Sequence, residues 1–390
     1  MDAQVHSATS QSAARAYVRA APAPFLPPPP ATAGILAWIR GNLFPSVGSG
    51  VLTVLIAVAL IWVTPPLIDF LIVDAVWTGS DREACLPSAA RPEVGACWAF
   101  IGDRFAYIVY GSYPIAGRWR VDLFFAMLAF GTAWLLWLEA PRPDIGSIYF
   151  FVLLPIASFV LLHGFEPVGL PIVDTALWGG MTVTIVVAAV GIVVSLPIGV
   201  ILALGRRSRL PAVGLLSTLF IEFVRGVPLI TVLFMASVML PLFVPDSWSP
   251  DKLMRALVGV ALFSSAYMAE VVRAGLQSMP KGQYEAAHAL GLSYWQSLRL
   301  IILPQALKVT IPNIVNSYIA LFKDTTLVFF VGIFDFLKTI EVARADPNWA
   351  TPVTSATGYI FAALVYFVCC YGMSRYASGI EKRLAAGENR

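Results

Sequence analysis

Ionisable side chains that interrupt long apolar runs are the residues best placed to do chemistry. Glu222 and Arg225, and again Glu270 and Arg273, stand three positions apart, so on a helix each pair shares a face and can form an ion pair. Lys323 and Asp324 are adjacent and are followed by Thr325 and Thr326. An ammonium, a carboxylate and two hydroxyls in an apolar setting complement a zwitterion that carries the same two charges. His6, His163 and His288 are scattered, so they assemble neither a metal site nor a nucleophile constellation. The chain holds no G-x-x-x-x-G-K-[ST] phosphate loop, so any ATP hydrolysis belongs to another polypeptide.

The elements that carry these residues belong in lipid. Of 390 residues 58% are hydrophobic and 13% charged, against about 25% charged in a soluble globule. That balance excludes a secreted module, a disordered protein and a nucleic-acid binder. Stretches meeting the requirement of about 20 apolar residues per crossing run over 49–72, 121–139, 146–165, 179–204, 213–244, 255–276, 308–332 and 355–377. The expected fold is an all-α membrane protein of about eight transmembrane helices, the fifth stretch being long enough for an interfacial turn before its span. A cleavable signal is not expected, because the first apolar run starts near residue 49 and is too long.

Residues 1–47 form a Pro-rich segment, with Pro27 to Pro30 in a row, and are expected to be a disordered cytoplasmic tail. Residues 48–170 hold three spans and a long external loop, 73–120; residues 171–390 hold five spans and most of the informative polar residues. Arg206, Arg207, Arg209, Arg225, Arg273 and Lys281 lie on the side that an even number of spans gives to both termini. Arg82, Arg91, Arg104, Arg118 and Arg120 cluster in the single long loop opposite, where the charge rule is weak. Both termini are therefore expected in the cytoplasm. Cys85 and Cys97 fall in that external loop, where a disulfide can persist, and a bridge would staple it. Two unpaired thiols are the competing reading, and zinc is disfavoured because no His lies nearby. Cys369 and Cys370 sit inside the last span as small core or lipid-facing residues.

The cytoplasmic loop 277–307 is the most informative stretch. It reads as a short helix containing Glu285, Ala286 and Ala287, a break at Gly291, and a second helix, after which Ile301 and Leu303 lead to Pro304, which suits the first turn or a kink of the following helix. Tyr294, Trp295, Leu298 and Ile301 recur at three- and four-residue spacing, the mark of a short amphipathic helix on the membrane surface, with Ala286 and Ala287 offered to a docked protein.

This arrangement resembles the EAA loop of ABC importer permeases, E-A-A, three residues, G, nine residues, I-x-L-P, with every fixed position present. The segments Gly180-Met-Thr182-Val-Thr184, Glu222 to Leu229, Tyr267 to Gly275 and Lys323 to Leu327 look like the polar amino acid branch of that family. The three additional N-terminal spans are similar to the larger permease subunit of bacterial general L-amino acid importers. The resemblance implies a five-helix type I ABC importer permease core over 171–390, whose loop residues Glu285, Ala286, Ala287, Gly291, Ile301, Leu303 and Pro304 seat in an ATPase. It implies a bacterial inner-membrane complex with a second, shorter permease subunit, two ATPase subunits that carry ATP and Mg, and a periplasmic amino-acid-binding protein. The chain itself needs no cofactor or metal.

The substrate path for an L-amino acid is expected at Lys323, Asp324, Thr325 and Thr326, with Glu270 as a further contact or, with Glu222, Arg225 and Arg273, a structural brace. Being adjacent, Lys323 and Asp324 project about 100° apart, so only one can face a pore. The alternative function is an ion-gradient-coupled secondary amino acid transporter, for which Glu270 and Asp324 are the credible intramembrane carboxylates.

Overall fold

A computed structural model describes residues 34–89, 91–137, 142–245 and 250–388. The chain divides after Ile68 into two units. In the first, helix α1 spans Ile35–Leu43 and α2 spans Val47–Ile68. Thr53 Oγ1 donates to the Leu43 carbonyl at 2.7 Å, tying the two together. Neither helix has a buried residue, and α2 is apolar all round, the composition of a span whose surroundings are not water. Most of the expected tail lies outside the described residues, but its end is helical: past Pro30 the run Ile35 to Ile39 carries no breaker.

The second unit opens with α3, Trp98–Tyr110, then α4, Arg118–Leu136. Helices α5, Pro143–Ile148, and α6, Leu154–His163, are joined by a π-turn into one span. Next come α7, Gly180–Arg206, α8, Pro211–Gly226, and α9, Leu229–Phe234. Helix α10, Lys252–Ser278, leads into α11, Lys281–Ala289, and α12, Tyr294–Ser297. Helix α13, Leu303–Asp324, is followed by α14, Phe336–Arg344, and α15, Pro352–Glu388. Seven helices among the described residues are long and apolar enough to cross a membrane, and a bent pair makes up to eight. Every expected span has its helical counterpart, and only isolated bridges represent β-structure among the described residues.

Three features depart from the sequence expectation. The stretch 213–244 is no single rod: its two helical parts are bent by 108°. Pro228 has no N–H to continue the ladder and drives Val227 out of the helical region, to φ −110° and ψ 137°. Second, the segment 73–120 is not simply a loop. Helix α3 lies within it and packs on α7 and α14, with Phe100 and Trp349 fully buried there. Cys85 and Cys97 are joined by a disulfide, the Cys97 N–H donates to Thr357 Oγ1 on α15 at 2.9 Å, and Trp349 Nε1 donates to Asp103 at 2.8 Å. Residues on both sides of position 170 therefore share one packed unit. Third, the second loop helix does not stop before the next span: a π-turn, Leu298–Ile302, carries α12 into α13, so the helical path is continuous from Tyr294 to Val331, with Pro304 in the first turn of α13 as its position suggests.

Helices α7 and α10 form the centre. At Gly199 a side chain would collide with Met268 and the backbone of Ala269, so glycine lets the two helices approach closely, the means by which helices associate where apolar burial gives no advantage. Buried hydroxyls satisfy themselves locally: Ser265 donates to Ala261 O at 2.6 Å and Thr310 to Ala306 O at 3.0 Å.

Candidate coupling loop and substrate path

The loop 277–307 is organised by its glycine. Gly291 has φ +72°, and the Leu292 N–H donates to Ala287 O at 3.1 Å while the Gly291 N–H donates to His288 O at 2.9 Å. This Schellman arrangement closes α11 with a left-handed residue, a conformation that costs glycine little. Ser293 then starts α12 through a reciprocal capping box with Gln296.

The helices so positioned expose Glu285, Ala286, Leu290 and Trp295. Ala287 differs from the expectation: it is fully buried, three and four residues after Tyr284 and Gln283, on the face of α11 that these two bond to the spans. The expected apolar stripe also divides, with Leu298 buried, Ile301 half-buried, and Tyr294 and Trp295 exposed and edge-to-face at 5.3 Å.

Helix α11 is tied to three spans by residues the sequence reading passed over. Arg207 at the end of α7 reaches Tyr284 Oη at 3.4 Å and the Leu276 carbonyl of α10 at 3.3 Å, and Gln305 of α13 donates to Gln283 at 3.2 Å. Gln283 and Tyr284 directly precede Glu285, and that adjacency was the available signal.

Glu270 lies at the centre of an arginine cluster. It pairs with Arg273, as their spacing suggests, and with Arg206 at 3.3 Å and Arg225 at 3.7 Å. The Glu222 and Arg225 spacing also suggests a pair, but Glu222 instead meets Arg206 at 2.7 Å, and Arg225 lies over the Tyr267 ring. Helix α8 follows α7 after the four-residue turn 207–210 and packs on it, which puts Arg206 at the end of α7 beside Glu222.

Asp324 and Lys323 separate as adjacency requires. Asp324 lines a cavity of about 490 Å³ with Ser195, Tyr267, Asn313, Asn316 and Tyr318, whereas Lys323 is exposed and takes no part in it. Thr325 and Thr326 turn back onto their own chain, donating to Phe322 O at 2.8 Å and Lys323 O at 3.1 Å where α13 gives way to a 3₁₀ turn. Glu270 does not line the cavity either. Asn313, Asn316 and Asp324 fall on one face of α13, a polar stripe in an apolar span that helical spacing makes visible in sequence. Thr182 and Thr184 serve packing: Thr182 donates to Val109 O at 2.9 Å and Thr184 accepts from the Phe336 N–H at 2.9 Å.

Residues 195–386 match the family of binding-protein-dependent transport system inner membrane components. The chain is 48% identical to the inner membrane amino-acid ABC transporter permease protein YhdY of Escherichia coli over 93% of its own length and 97% of that protein's. The chain belongs to the amino-acid ABC transporter permeases. A second relative, the glutamate/glutamine/aspartate/asparagine transport system permease protein BztC of Rhodobacter capsulatus, is 39% identical over 92% of this chain and 95% of that one. The glutamate/aspartate import permease protein GltK of Escherichia coli O6:H1 is 33% identical, covering 54% of this chain and 93% of itself. This permease thus shares more than nine-tenths of its length with YhdY and BztC and about half with GltK. It is a multi-pass subunit of an amino-acid ABC importer, and the ion-gradient carrier reading falls away.

Proposed function

We propose that the permease translocates polar L-amino acids across a bacterial inner membrane, with both termini cytoplasmic, and that α11, Gly291 and α12 transmit the motion of ATPase subunits to it. The observation that carries this reading is the loop itself. Its outer surface offers Glu285, Ala286 and Leu290, while its inner surface is bonded to α7, α10 and α13. A push on α11 is therefore delivered to three spans at once. Ile301, Leu303 and Pro304 make the loop continuous with α13, the helix that presents Asp324.

In the cavity, the Asp324 carboxylate would accept from the substrate ammonium, and the Asn313 and Asn316 carboxamides would donate to its carboxylate. Polar side chains suit such a chamber, in keeping with the solutes in the name of the Rhodobacter relative. Glu270 with its arginines braces the bundle outside this path. The assembly contains a second, shorter permease subunit, two ATPase subunits holding ATP and Mg, and a periplasmic amino-acid-binding protein. Affinity purification from native membranes, followed by uptake in proteoliposomes without an ion gradient, tests this: those three kinds of chain should co-purify with the permease and uptake should require ATP.

A further inference from the structure

Behind the loop, and apart from the cavity at Asp324, lies a small pocket of about 40 Å³. Leu204 and Arg207 line it from the end of α7, Tyr284 and His288 from α11, and Tyr294 and Ser297 from α12. That volume takes about three waters, or one group of a few heavy atoms. Arg207 directly follows the last residue of the α7 span, so both the aqueous phase and the headgroups of the bilayer reach this level.

The polar groups of the pocket are donors without a counter-charge. Arg207 Nη1 donates to the Leu276 carbonyl at 3.3 Å and to Tyr284 Oη at 3.4 Å, which fixes the guanidinium in direction. Its Nε and Nη2 meet no partner among the described residues, and neither do the His288 ring nitrogens or the Tyr294 hydroxyl. Arg207, His288 and Tyr294 are all exposed, so these donors are open to a ligand. No carboxylate lines the pocket, and Arg207 forms no ion pair among the described residues, whereas its neighbour Arg206 takes both Glu222 and Glu270. A pre-set guanidinium beside two further donors is complementary to an oxyanion. Because the donors come from three helices, they suit oxygens set in several directions, as in a tetrahedral phosphate, better than the two of a planar carboxylate.

We propose that this pocket binds one phosphate group, held by Arg207 through its free N–H groups and by His288 and Tyr294 on the opposite walls, and that the bound group pins α11 and α12 to the end of α7. Free phosphate and the phosphate of a lipid headgroup share this chemistry. The proposal is independent of the coupling role of the loop, because its test reads binding and not transport.

The experiment follows amide hydrogen exchange by mass spectrometry in the intact complex, delipidated in dodecyl maltoside and free of nucleotide. One arm compares sodium phosphate with sodium chloride at equal ionic strength and pH; a second adds phosphatidylglycerol to the micelles without free phosphate. Exchange in peptides covering α11 and α12 should slow at least threefold, with peptides from α14 unchanged as the reference. Slowing in the first arm identifies free phosphate as the source and slowing in the second alone a lipid headgroup, and either upholds the site. Arg207→Gln and His288→Leu should each abolish the slowing, and the second, at an exposed ring that bonds to nothing in the fold, keeps the test decisive if the first fails to assemble. No slowing in either arm would overturn the proposal. So would slowing that persists in His288→Leu, the result expected if phosphate acts from the ATPase subunits.

Discussion

The guanidinium of Arg206 lies 2.7 Å from the carboxylate of Glu222 and 3.3 Å from that of Glu270, so one side chain at the end of α7 links α8 to α10. Glu270 in turn faces Arg206, Arg225 and Arg273. Removing its charge leaves three partly buried cations with a single remaining acid. Charge-assisted hydrogen bonds contribute about 1.5–3 kcal/mol, so Glu270→Gln should lower the thermal midpoint and the yield of assembled complex. Glu222, more than half exposed, is screened, and Glu222→Gln should cost less than about 1 kcal/mol. Thermal unfolding of both variants checks the order.

Asp324 should be the residue of the 323–326 cluster whose loss is felt by substrate. Asp324→Asn keeps shape and removes one charge-assisted contact of about 1.5–3 kcal/mol, a tenfold or greater loss of uptake at equal complex abundance. Lys323→Ala and Thr326→Val, altering groups outside the cavity, should stay within about twofold. Initial uptake rates over a range of substrate concentrations distinguish these outcomes.

The Cys85–Cys97 disulfide closes a loop of sequence separation 12 and is linked through Cys97 to Thr357. Loop-closure arguments give about 2–3 kcal/mol for a loop of that size. Replacing both cysteines with serine should lower the thermal midpoint, and peptide mass spectrometry without reductant should recover the crosslinked pair from the wild type.

Asp335 gives stability a pH dependence. It is fully buried, and loss of solvent pushes its carboxyl up to about 6, although the Leu337 and Lys338 N–H groups that it caps pull the other way. Its folded pKa exceeds the unfolded value near 3.9, so the folded state holds the extra proton between about pH 4 and 6. The Asp335 contribution to stability is therefore greatest at the acid end of that window and is lost as pH rises through 6. Asp335→Asn retains a capping acceptor and should flatten the change in thermal midpoint between pH 5 and 7.5. An unchanged slope would refute the assignment.

The spans were legible because long apolar runs have no alternative in lipid, and the helix pair 270/273 because its spacing is local. What escaped were relationships between distant segments. Nothing near Glu222 indicates that Arg206 would displace Arg225 as its partner, since that depends on how α8 packs against the end of α7 after the turn 207–210. Helix α3 is short and bounded by charged residues, so its sequence suggests a loop, and only packing against α7 and α14 reveals it as core. Ala287 illustrates the same limit: the loop motif marks its importance, but the bonds of Gln283 and Tyr284 to distant spans decide that their shared face of α11 turns inward.

Coupling is tested most directly by measuring ATP hydrolysis and amino-acid uptake together in proteoliposomes holding the assembled complex with Glu285→Arg or Gly291→Pro. The first reverses the exposed charge on α11, and the second cannot adopt φ +72°. The account predicts wild-type insertion with uptake reduced at least tenfold and no longer proportional to hydrolysis. Wild-type uptake per ATP in both variants, at equal complex abundance, would contradict the assignment of this loop.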